Sequence, residues 1–155
     1  MRSAKPVIVA LIVLARCSSD ALAGDDVKDV AVKKERAKLC GAWEAVAEET
    51  SSGTIKDVRA RLVFHSSGEV LVAMGHGFID GKSIIDPTVT PKTWDIVFKD
   101  EGKEAVFPCL YVLDGDELRL CFIAGGKRRP SVWPAKTAKK EDYIMYIFKR
   151  KDAKK

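Results

Sequence analysis

The sequence predicts an all-β domain: an antiparallel up-and-down barrel of about eight strands behind a short N-terminal helix. Three observations predict it. The first is a hairpin, Cys109 to Phe122, in which two apolar runs are joined by Asp114-Gly115-Asp116-Glu117. Asp-Gly between alternating hydrophobics signals a hairpin because glycine adopts the positive φ that a tight turn needs. The second is period-two alternation recurring in short runs between Gly, Ser and Pro clusters. The third is that consecutive strands are linked by short turns, which makes the sheet antiparallel. Closing it on itself removes its exposed edges. A two-sheet sandwich is the competing arrangement.

Within the hairpin, Leu118, Leu120 and Phe122 share one face, and Glu117, Arg119 and Cys121 the other. A register that sets Leu113 opposite Leu118 also sets Tyr111 opposite Leu120 and Cys109 opposite Phe122. One continuous apolar face results.

Residues 1–23 have the pattern of a secretory signal peptide. Arg2 and Lys5 form a basic start, and Val7 to Ala15 an apolar run shorter than the ~20 residues a bilayer span needs. Ala21-Leu22-Ala23 supplies small residues before Gly24. An uncleaved anchor is the alternative, since Arg16 and Asp20 are unusual near a cut. A lipoprotein signal ending at Cys17 would place Arg16 where a small residue belongs. Cleavage after Ala23 leaves 24 basic and 21 acidic residues, a net charge of +3. That is not the footprint of a nucleic-acid binder.

Residues 24–38 suggest a short helical lead-in, acidic at Asp25-Asp26 and basic toward Lys38, as the helix dipole favours. Its apolar face (Val27, Val30, Leu39) is thin. The domain proper spans 39–150. Gly41-Ala42-Trp43 opens a first strand to about Glu48, with Trp43, Ala45 and Ala47 on one side and Glu44, Val46 and Glu48 on the other. Val58, Ala60, Leu62 and Phe64 alternate with Arg59 and Arg61. Ser66-Ser67-Gly68 turns that strand into Glu69–Met74. Weak strand character follows around Lys82–Ile85. Thr93–Phe98 alternates cleanly, with Trp94, Ile96 and Phe98 on one face. Gly125 to Asp142 is a long basic loop, and Tyr143–Phe148 the last strand. Residues 151–155 form a basic tail.

Gly41-x-Trp43 at the first strand and Arg150 closing the last resemble the lipocalin pattern. In that family the Trp packs at the closed end of the barrel beside the Arg, which implies a cation–π pair of Trp43 and Arg150. The resemblance extends through Leu39-Cys40-Gly41-Ala42-Trp43, Asp86-Pro87, Pro91-Lys92, Tyr111 to Asp116, Leu118-x-Leu120-Cys121-Phe122, Arg129-Pro130 and Lys149-Arg150. This order is similar to a lipocalin-like exported domain family expanded in planctomycete bacteria. Cys109 departs from the small or polar residue expected before the Tyr. The resemblance implies an exported β-barrel and no established activity, with Cys121 part of the family pattern.

Chemistry-bearing residues are few. His65 and His76 are the only histidines and fall at a strand end and between two glycines. No Cys-x-x-Cys or His-x-x-x-His spacing points to metal, no glycine-rich loop opens a helix, and no cofactor is implied. Asp114 and Asp116 are accounted for by the turn. Of the cysteines beyond residue 23, Cys109 and Cys121 fall on opposite faces, so any disulfide should involve Cys40. Three buried thiols are the alternative. Lys127-Arg128-Arg129 with Lys136, Lys139 and Lys140 make a basic loop that either is simply solvated or attracts an anionic envelope component. Trp133 within it either caps a cavity or tucks against the outside of the barrel.

The expected function is an exported binding module that holds a small apolar ligand. Its tentative lining is Phe64, Val72, Trp94, Tyr111, Leu120, Trp133 and Tyr146, and its structural motif Gly41, Trp43, Asp114, Gly115, Asp116 and Arg150. A filled barrel that binds a cell-envelope partner through its surface is the second expectation, and a hydrolytic enzyme the third. An apolar core with few polar groups suits a ligand cavity, yet an eight-strand barrel is also narrow enough for its own side chains to fill.

Overall fold

A computed structural model describes residues 20–75, 77–133 and 142–151. Residues 1–19, which hold most of the expected signal segment, His76, Lys136, Lys139, Lys140 and the tail beyond Lys151 lie outside the described residues. The order is α1 (Asp20–Leu39), β1 (Gly41–Thr50), β2 (Gly53–Lys56), β3 (Ala60–Phe64), β4 (Glu69–Met74), β5 (Gly77–Asp86), β6 (Lys92–Asp100), β7 (Lys103–Asp114), β8 (Glu117–Ile123) and β9 (Tyr143–Arg150). Every strand pairs antiparallel with its neighbours. β1 pairs with β3 on one side and β9 on the other, which closes an eight-strand barrel and rules out the sandwich.

The central hairpin has the register expected: Leu113 opposite Leu118 and Tyr111 opposite Leu120. Gly115 takes φ +56° in the turn. The predicted inner face (Leu62, Phe64, Val72, Trp94, Ile96, Tyr111, Leu120, Phe122, Tyr146) belongs to one core cluster, joined by Leu39, Trp43, Leu118 and Phe148. Cys109 lies in that core. Cys121 lies on the other side of the ladder with Leu110 and Met145. All three described cysteines are thiols. Burial pushes the Cys109 thiol well up from its ordinary value.

One strand departs from the expected outline. β2 is an additional strand, four exposed residues that hairpin back on the far half of β1. Asp57, Val58 and Arg59 separate it from β3, and Asp57 takes φ +65°. The expected N-terminal helix is present and spans twenty residues, Asp20–Leu39. Strong helix formers (Ala31, Lys33, Lys34, Glu35, Arg36, Ala37, Lys38) sustain it despite the thin apolar face. Val27 and Val30 point to solvent, 67% and 65% exposed, while Leu39 is wholly buried. α1 therefore packs through its last turns, where Val32 and Leu39 meet the core, while Lys28 adds a salt bridge to Asp86 at 2.7 Å.

Candidate functional site

The barrel interior is the candidate site, and its two ends are built differently. At the helix end the chain makes a sealed floor. The Trp43 indole N–H donates to the Leu39 carbonyl at 2.8 Å. The Arg150 guanidinium lies 4.2 Å from the centre of the Trp43 ring. It also donates to the carbonyls of Lys38 (2.6 Å) and Cys40 (2.8 Å), and to Asp116 in the β7–β8 turn (3.0 Å). One side chain thus satisfies carbonyls at the helix C-terminus that have no partner within the helix. Gly41 is what lets it pass. Its φ is +128°, and a Cβ there would sit 3.0 Å from the guanidinium nitrogen.

Beside this floor lies a buried carboxylate that the sequence reading missed. Glu35, 3% exposed, accepts from Lys92 at 2.5 Å and from the Tyr111 hydroxyl at 3.3 Å, with Lys38 at 3.5 Å. Burial alone would raise its pKa. The hydrogen bond and charge of Lys92, then Lys38 and Tyr111, outweigh burial and hold the carboxyl below its ordinary value. The Tyr111 phenol is pushed well up, first by burial and then by Glu35. Sequence showed Glu35 only as one charge in a polar helix. The signal available was its place one turn before Leu39, on the face that must meet the barrel. An open cleft of about 370 Å³ lies here, with Glu35, Lys38, Lys92 and Arg150 in its wall.

Above the floor, Phe64, Trp94 and Tyr111 pack edge to face, with centroids 5.4 and 5.8 Å apart. Phe64, Val72, Trp94, Tyr111 and Leu120 are each no more than 1% exposed. These five expected lining residues fill the lower core. The Trp94 indole N–H is buried without a hydrogen-bond partner among the described residues.

Toward the other end the interior stays apolar and becomes partly exposed. Phe107 meets Phe122 at 4.8 Å, and Phe122 stacks on Tyr146 at 5.9 Å. Met74, Ile79, Phe107, Ile144 and Tyr146 pack on the core while keeping some exposure. Burial, and then the Glu48 carboxylate opposite it across the β1–β9 ladder, push the Tyr146 phenol up to about 12. Trp133 is not part of this wall. It packs on the outer face, against Leu110, Cys121 and Met145. Arg129 pairs with Asp95 on that face and ties the same loop down. Gly126, at φ +63°, lies against the Phe107 ring so closely that a Cβ would overlap it.

Among the described residues, no group of three or more His, Cys, Asp or Glu is placed to hold a metal ion, and no helix is long and apolar enough to cross a membrane. His65 is exposed at the β3–β4 turn. The chain matches no family model, no curated protein and no solved structure.

Proposed function

We propose that this chain is an exported, lipocalin-like binding module that takes a small apolar ligand at the barrel end away from α1. The observation that carries the reading is the contrast within one interior. A packed floor at the helix end gives way to a partly exposed wall of Phe107, Tyr146, Ile144, Ile79 and Met74. An apolar wall with one polar pair, Glu48 and Tyr146, suits a small-molecule site. The Trp43–Arg150 stack supports the lipocalin likeness, and the signal-like residues 1–23 support export. Native mass spectrometry of the chain purified from an oxidising compartment tests the reading. The expected spectrum shows a mass excess that disappears on denaturation. A bare chain after exposure to a whole lipid and metabolite extract would sink it. Interaction through the outer surface is the second reading, favoured by one observation, Phe78 standing 75% exposed at the start of β5.

A further inference from the structure

Strand β1 carries a carboxylate onto the interior side of the barrel, at the end with the exposed wall. Up to Ala45 its pairing with β9 is regular: Trp43 faces Arg150 and Ala45 faces Phe148. Val46 is then an extra residue, so that Ala47 pairs with Ile147 and Glu48 with Tyr146. A bulge of this kind shifts the alternation by one position. Without it Ala47 would point inward and Glu48 outward. With it, Glu48 shares the face of Tyr146, which packs on the inner core. Val46 is turned out and is 45% exposed.

A carboxylate on an apolar interior face is costly unless it is matched by charge. The partner of Glu48 is a phenol, which is neutral. Among the described residues no cation pairs with Glu48, whereas Glu44, two residues before the bulge, has both Arg61 and Lys151 at 3.3 Å. The wall beside Glu48 is aromatic: Phe107 and Tyr146 keep part of their surface exposed, backed by the buried rings of Phe122 and Phe148 in successive contact. Ring faces attract cations through their quadrupole, and the attraction grows as water is excluded. A negative group at the edge of such a wall repels an anionic amphiphile and complements an organic cation.

We propose that the ligand is a small organic cation, a protonated amine on an apolar body, whose ammonium group is held by Glu48 while its body lies on the aromatic wall. The inference rests on the reading of the barrel as a ligand-binding module, and the test separates the two. Isothermal titration calorimetry of the whole purified protein compares three probes of matched size: naphthylethylamine, naphthylethanol and naphthaleneacetate. The amine should bind about tenfold to a hundredfold more tightly than the alcohol, the range for a charged hydrogen bond. The acetate should bind most weakly. Glu48→Gln should bring the amine down to the affinity of the alcohol and leave the alcohol unchanged. Glu44→Gln, on the outer face, should change none of the three, and Tyr146→Phe should keep the preference because the carboxylate remains. Circular dichroism confirms that each variant is folded, and the ranking of probes on the parent protein stands even if Glu48→Gln does not fold. Equal affinity for amine and alcohol, or a preference that survives Glu48→Gln, overturns the role of Glu48 and leaves the ligand-binding reading intact. No binding by any probe overturns both.

Discussion

The two ends of the barrel use the same kinds of residue, aromatic rings and a carboxylate, to opposite effect. At the helix end the carboxylate and the closing guanidinium are each met by several partners, although Arg36 Nε and Ser83 Oγ nearby are buried without one among the described residues. Glu35 has Lys92, Lys38 and Tyr111, and Arg150 has the Lys38 and Cys40 carbonyls, Asp116 and the Trp43 face. At the other end Glu48 lies beside the Tyr146 phenol, and of the rings there Phe107 and Tyr146 keep part of their surface open. A buried polar network with all members paired rigidifies the structure, whereas an incompletely paired one leaves binding capacity. Stability should therefore concentrate at the floor and recognition at the wall.

Substitutions can break that contrast or sharpen it. The largest effect is expected of Trp43→Ala, which removes a wholly buried ring, its hydrogen bond to Leu39 and the platform for Arg150. A loss of about 3–5 kcal/mol follows from the usual cost of deleting a core aromatic, read as a shift in the urea midpoint at constant slope. A loss under about 1 kcal/mol, well below that usual range, would mean that the floor is not where the fold is held. Arg150→Met keeps much of the stem and loses the donors to Lys38 and Cys40. About 2–3 kcal/mol is expected, the scale of charge-assisted hydrogen bonds. Amide exchange should rise in the last turn of α1 and not in β5–β6.

Glu35→Gln should cost about 1–2 kcal/mol at neutral pH, discounted because Lys92 and Lys38 are partly exposed. Its sign with pH is fixed by the lowered pKa. The carboxylate contributes fully above its unfolded value near 4.5, and the contribution is lost as pH falls through the lower folded value. The gap between parent and variant in urea midpoint should thus be constant from neutral pH to about pH 5 and close below it. A gap independent of pH would show that Glu35 acts through shape alone. An effect of similar size is expected at the wall. Phe107→Ala should cost about 1–2 kcal/mol, less than Phe64→Ala, because its ring is only partly buried and less apolar area leaves water. Equal losses at the two positions would abolish the distinction between floor and wall.

The sequence made the hairpin register legible because Leu118, Leu120 and Phe122 alternate strictly and the Asp-Gly turn leaves one pairing that aligns them with Tyr111 and Leu113. The inner face was legible for the same reason. β2 was not, since Gly53-Thr54-Ile55-Lys56 is short, exposed and without alternation, and its pairing with β1 is tertiary. The bulge at Val46 left no mark either. Glu44-Ala45-Val46-Ala47-Glu48 reads as unbroken alternation, and only the register with β9 shows that one residue is surplus. That single residue moves Glu48 from the expected outer face to the interior, and it separates the candidate site from the one expected. Trp133 was legible as unusual but not as placed, because the outer patch of Leu110, Cys121 and Met145 it covers is assembled from three strands.

The β1–β9 seam has a consequence for assembly. Trp43 and Arg150 are partners across nearly the whole domain, so the seam closes the longest loop in the chain. Loop closure grows costlier with length, and contacts of such separation slow folding. Until β9 is synthesised, β1 and β8 each present an unpaired edge, and an open sheet of this kind recruits other chains. The nascent chain therefore carries its greatest aggregation hazard just before its last strand appears. Arg150, at the end of that strand, completes the floor and the closed ring in one step.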